Sequence, residues 1–240
     1  SATAWEDATA YDGWDNVFLV GNDPADDIVS HYVIEGEFSP NWATDKTFLA
    51  VTIADAPYDY YVYLQSASFG TTEGWNKKST LGIAAVRVSD DVDMPDILIG
   101  MDARALAGLT LPRDYNSKSI DTRVLWVWYN YYDPGTGDPR SMIVRVDNDD
   151  SNPVVQQVKD GKLFLTNVSY WGTIAEGEAL AGVLGTGSDY QGPFNLITDC
   201  CVGVAVYRNT GIHNMDICCE RWKKACKPPT GRAAMAVQFV

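Results

Sequence analysis

Residues 121–132, DTRVLWVWYNYY, constrain the fold more than any other stretch of this chain. β-Branched and aromatic residues bounded by polar ones read as a strand. Side chains alternate across a strand, which puts Val124, Trp126 and Trp128 on one face and Leu125, Val127, Tyr129 and Tyr131 on the other. Both faces are apolar. Such a strand requires cover on both sides, or one packed face and an aromatic face offered to a ligand or a neighbouring subunit.

Other stretches share this character. Strands are predicted at 17–20, 28–37, 47–54, 59–67, 81–89 and 97–102, separated by turn chemistry such as Gly21-Asn22-Asp23-Pro24 and Asp55-Ala56-Pro57. Further strands follow at 141–147, 153–158 and 162–168, with Asp160-Gly161 as a tight-turn signal between the last two, and again at 201–208 and 233–240. Residues 102–111, DARALAGLTL, predict a single helical turn stopped by Gly108 and Pro112. Residues 172–193 carry six glycines and predict a long irregular excursion with at most a short helix over 176–184. Closely spaced strands with no helical pattern between them give an all-β chain. The expected fold is an antiparallel β-sandwich, jelly-roll or immunoglobulin-like, with long loops. One domain over 17–240 accommodates these strands, preceded by an extended arm over 1–16 with Trp5, Tyr11 and Trp14 as anchors.

Net charge is -14, with 25 Asp and 7 Glu against nine Lys and nine Arg, a balance that would repel a phosphate backbone and argues against nucleic-acid binding. Asp favours turns and loops, which suits a loop-rich β protein. No apolar run approaches the roughly 20 residues that span a bilayer, so no transmembrane segment is expected. The opening Ser1 and the small polar residues after it read as an end left by signal-peptide removal, which implies export to the extracellular space or cell surface. The cysteines agree: Cys200, Cys201, Cys218, Cys219 and Cys226 cluster late in the chain without the C-x₂-C pairs of zinc modules. Two disulfides are expected to tie the 202–217 loop and the C-terminal region to the domain, leaving one thiol that is free or pairs with another subunit.

The opening Tyr11-Asp12-Gly13-Trp14-Asp15-Asn16-Val17, the turn Asp23-Pro24-Ala25-Asp26-Asp27-Ile28 and the strand Thr47-Phe48-Leu49-Ala50-Val51-Thr52-Ile53 together resemble secreted sandwiches of the DOMON and family-9 carbohydrate-binding-module type. Tyr61-Val62-Tyr63-Leu64 and Met94-Pro95-Asp96-Ile97-Leu98-Ile99-Gly100 continue the likeness. The resemblance implies an extracellular sandwich that binds sugar or haem, or that serves as a structural module. His31, His213, Met94 and Met101 are the residues from which haem ligands would be drawn.

No nucleophile–base pair, metal-protease motif or phosphate loop is present, so a non-catalytic role is expected. The leading expectation is a structural subunit that polymerises with itself into a filament, pilus-like thread or surface layer, by donation of a strand from the N-terminal arm. The alternative is a carbohydrate-binding module or adhesin with Trp42, Trp75 and Trp171 as glycan-binding candidates, and a haem-binding domain comes third. No cofactor is expected beyond calcium, for which Asp147, Asp149 and Asp150 are the candidates. Asn167-Val168-Ser169 is a glycosylation sequon, meaningful in an exported protein if the site is exposed.

Overall fold

The computed structural model describes residues 30–56, 59–69, 74–76, 86–88, 107–132, 136, 139–147, 154–156, 163–185, 204–210 and 223–226. These residues form three antiparallel sheets. The first holds β1 (Ser30–Phe38), β2 (Thr47–Ala56), β3 (Asp59–Ser68) and β4 (Gly74–Trp75) in that order, with β5 (Val86–Arg87) also beside β3. The second holds β6 (Ala107–Thr110), β7 (Val124–Tyr132), β8 (Pro139–Asp147) and β9 (Val154–Gln156). The third holds β10 (Leu163–Gly172), β11 (Gly177–Gly185), β12 (Val204–Asn209) and β13 (Lys223–Cys226). A short helix, α1 (Trp42–Asp45), joins β1 to β2.

Apart from β5, neighbouring strands are consecutive in sequence, which is meander order. Any jelly-roll or immunoglobulin-like crossover would run through residues outside the described ones. The predicted strands at 17–20, 97–102 and 233–240 also lie outside them, as does the 1–16 arm with Trp5, Tyr11 and Trp14.

The two faces of β7 explain how the sheets stack. Leu125, Val127 and Tyr129 pack with Val144 and Val146 against Leu49, Val51, Ile53, Val62 and Leu64 of the first sheet. On the opposite face Val124, Trp126, Trp128 and Ile143 pack against Leu165, Val168, Tyr170, Ala179, Ala181 and Val183 of the third. The second sheet is therefore the middle layer of three, covered on both sides. An aromatic strand with no polar face is stable only in such a position, because each exposed large side chain would forfeit about 1.5–3 kcal/mol of burial. Trp126 lies flat on Tyr170, with ring centroids 4.2 Å apart.

Two sequence expectations are corrected. The stretch 102–111 is not helical at its end: residues 107–110 are β6, paired with Trp126, Val127, Trp128 and Tyr129. Pairing with a buried strand overrides the modest helix preference of Ala and Leu. Likewise 176–184 is not a helix. It is β11, bonded to β10 over its whole length and to β12 on its other side. Its small residues are what the packing requires. Ala179 and Ala181 lie beneath the large aromatics of the second core, and a β-carbon on Gly177 would collide with the Tyr170 ring.

Residues 111–123 bridge the ends of the stack. The buried Asp45 carboxylate accepts hydrogen bonds from the Ser39 hydroxyl at 2.6 Å and from the amides of Thr47 and Ser117 at 3.1 Å each, and Asn41 Nδ2 donates to the Tyr115 carbonyl at 2.6 Å. At the other end the Arg113 amide donates to the Gly172 carbonyl and the Ile174 amide to Asp114 Oδ1. This segment thus ties α1 to the β10–β11 turn.

Candidate functional site

Alternation along β10 sends Val168 and Tyr170 into the core and Asn167, Ser169 and Trp171 to the outer face of the third sheet. Opposite them on β11 stand Gly182, Leu180 and Glu178. Trp171 is 55% exposed, and the Arg113 guanidinium lies 5.9 Å from its ring centre. Glu178 accepts a hydrogen bond from Arg208 Nε at 2.7 Å on the same face. An indole, two guanidiniums, a carboxylate and a hydroxyl are thus gathered on the outer side of the third sheet. That is the chemistry which stacks on the apolar face of a sugar ring and hydrogen-bonds its hydroxyls.

A second aromatic group lies on the outer face of the first sheet. Phe38, at the end of β1, is 59% exposed and meets Trp42 and Phe48 edge-on at 4.9 and 5.0 Å. Trp42 continues to Phe69 at 5.8 Å, Phe48 to Trp75 at 6.2 Å, and Lys46 Nζ lies 5.5 Å from the Trp42 ring centre. Val33, 55% exposed, is on the same face, because a bulge between Val33 and Glu35 shifts the alternation. Among the described residues β1 is the terminal strand of its sheet.

The inward side of β1 carries two carboxylates. Glu35 Oε2 accepts the Leu109 amide of β6 at 2.8 Å; burial raises the pKa of this carboxyl, and that hydrogen bond partly offsets the rise. Glu37 keeps an exposed surface, yet the protein around its carboxyl pushes its pKa up to about 7, with the Glu35 charge as the second cause. Gly108 lets both Glu35 and the Trp128 indole approach: a β-carbon there would lie 2.6 Å from Trp128 Nε1 and would also strike the Glu35 carboxylate.

The predicted residues are dispersed. Of the glycan candidates, Trp171 is exposed, Trp42 is half-buried among aromatics, and Trp75 is 2% exposed in a small core with Ala50 and Ala67 and offers no face. Asp147 pairs with Arg145 at 3.0 Å, while Asp149 and Asp150 lie outside the described residues. Among the described residues no group of three or more His, Cys, Asp or Glu is placed to hold a metal. Cys226 ends β13, with its backbone opposite Val206; Cys200, Cys201, Cys218 and Cys219 lie outside the described residues. His31 is in β1, and His213, Met94 and Met101 lie outside. No helix among the described residues is long and apolar enough to cross a membrane.

Sequence reasoning missed the Glu35–Glu37 pair, Asp45 and Asn130. Two acids two apart on a strand share a face, a readable signal for the first. Asn130 inside an aromatic run was a second signal. Compared with family profiles, curated proteins and solved structures, the chain matches none of them.

Proposed function

We propose that this chain is a non-catalytic structural subunit of an extracellular or cell-surface assembly, of the filament, pilus-like or surface-layer kind. The observation that carries this reading is β1, a nine-residue strand that is terminal in its sheet among the described residues, with exposed Val33 and Phe38. A long edge strand with apolar side chains is a template for another chain, and soluble monomers ordinarily blunt such edges. A strand donated by a neighbouring subunit would hydrogen-bond along it and cover the exposed side chains. Residues 1–12 are the proposed donor. In this account the three sheets act as one sandwich-type module, and disulfides among Cys200, Cys201, Cys218, Cys219 and Cys226 hold its C-terminal part. Deleting residues 1–12 gives a folded monomer that no longer polymerises; a truncated protein that still assembles removes the arm from the account.

A second reading, a carbohydrate-binding module or adhesin, is supported by Trp171 beside Arg113 and the Glu178–Arg208 pair. It requires a monomer with polysaccharide affinity that falls when Trp171 becomes Ala. The haem reading ends with a purified protein that lacks Soret absorption.

A further inference from the structure

We infer that Asn167 is an N-glycosylation acceptor and that its glycan lies along β10 over Trp171. This rests on the extracellular reading, since lipid-linked sugar donors are used on the export route. Asn167-Val168-Ser169 is the single N-x-[S/T] sequence in the chain. Strand alternation displays it: Val168 is 3% exposed in the second core, so Asn167 and Ser169 both point outward, each half-buried with part of its surface open. β10 is the terminal strand of its sheet among the described residues, and its pairing with β11 slips between Leu165 and Asn167. The other asparagine of this region, Asn130, is buried and its carboxamide is bonded at both ends, so Asn167 is the one of the two that faces outward.

The position of Trp171 adds an independent observation. Four residues along a strand is about 13 Å, within the reach of a short oligosaccharide. Between the two lies the Ser169 hydroxyl, and beside the indole are Arg113 and the Glu178–Arg208 pair. A glycan anchored at Asn167 would find an aromatic ring to stack on and both donors and acceptors for its hydroxyls. It would cover a large apolar side chain otherwise left to water.

The transfer is a substitution at the anomeric carbon of a polyprenyl-phosphate-linked sugar. Asn167 Nδ2 attacks that carbon, the new N–C bond forms, and the anomeric C–O bond to the lipid phosphate breaks. The lipid phosphate departs with the electron pair, and the amide nitrogen gives up one proton to a base of the transferase. The Ser169 hydroxyl is the recognition element of the sequon. Covered in this way, Trp171 is occupied by the protein's own glycan and is closed to foreign polysaccharide.

The test is mass spectrometry of peptides from the protein isolated from its native source. The expected result is a glycan on Asn167. In a glycosylating host the mass should drop by that glycan in Asn167→Gln and Ser169→Ala and be retained in Ser169→Thr. Unmodified Asn167 in the native protein, or a modification that survives Ser169→Ala, overturns the assignment. For the packing, acrylamide quenching of tryptophan fluorescence should rise on enzymatic deglycosylation, and the rise should vanish in Trp171→Phe. Quenching that does not change on deglycosylation overturns the contact. These readouts do not depend on polymerisation, so failure of the glycan and failure of the assembly reading are seen separately.

Discussion

One carboxamide joins Asn130 of β7 to both backbone groups of Leu165 on β10: Nδ2 donates to the Leu165 carbonyl and Oδ1 accepts the Leu165 amide, each at 2.8 Å. The side chain takes the place of a neighbouring strand. Asn130 and Leu165 are 2% and 0% exposed, so neither Leu165 group has water to turn to. The pair sets the register between the middle and third sheets, where apolar packing alone would tolerate sliding.

Replacing Asn130 with Leu should therefore cost about 2–4 kcal/mol, because two buried backbone groups lose their partners. Asn130→Asp keeps an acceptor but offers the Leu165 carbonyl no donor and should also destabilise. Urea unfolding checks this through the midpoint, and a loss under about 0.5 kcal/mol would mean that the pair is not holding the sheets.

Gly108→Ala tests the close approach at β6. Exchanging Gly for Ala within a strand ordinarily gains roughly 0.5–1 kcal/mol. Here the methyl would meet the Trp128 indole and the Glu35 carboxylate, so a loss of about 1–3 kcal/mol is expected in the same assay. A more stable variant would show that the neighbours move aside freely.

The raised Glu37 carboxyl gives stability a pH dependence of definite sign. Its folded pKa of about 7 is above the 4.5 of the free side chain, so the folded state binds the proton more tightly. Its unfavourable contribution is absent at low pH, grows as pH rises through the window from 4.5 to 7, and is complete above it. Glu37→Gln should raise the melting temperature at pH 8 and leave it unchanged at pH 4. The proposed donor arm is itself acidic, with Glu6, Asp7 and Asp12. Assembly onto β1 should then strengthen as pH falls below 7 and as salt screens the repulsion, which light scattering against pH and salt measures.

Val33→Lys and Phe38→Lys separate folding from association. Val33→Lys should change monomer stability by no more than about 0.5 kcal/mol, whereas Phe38→Lys also removes the edge-on contacts to Trp42 and Phe48 and should cost about 1–2 kcal/mol without unfolding the monomer. Charge on the outer face of the edge should nonetheless stop polymer growth, as read by sedimentation. Unimpaired polymers from the double variant would move the contact elsewhere.

Much of the middle layer was legible in advance. The alternating sets 124, 126, 128 and 125, 127, 129 fall in two different cores because strand geometry fixes the alternation and hydrophobicity says that both sets must be covered. β6 and β11 were misread for one reason. Their Gly and Ala residues are chosen by what lies across from them, the Trp128 indole and the Tyr170 ring, and no local pattern carries that information. The outward aromatic Trp171 was named from its residue type alone. Its separation from the buried Trp75 needed the strand register, because both are tryptophans in polar company.

The central claim is self-assembly, and the assembly state of the native, non-reduced protein tests it most directly, by negative-stain microscopy alongside light scattering. The account predicts long regular polymers at neutral pH that are absent from the Val33→Lys, Phe38→Lys double variant. A clean monomer at every concentration, pH and salt tried would contradict it.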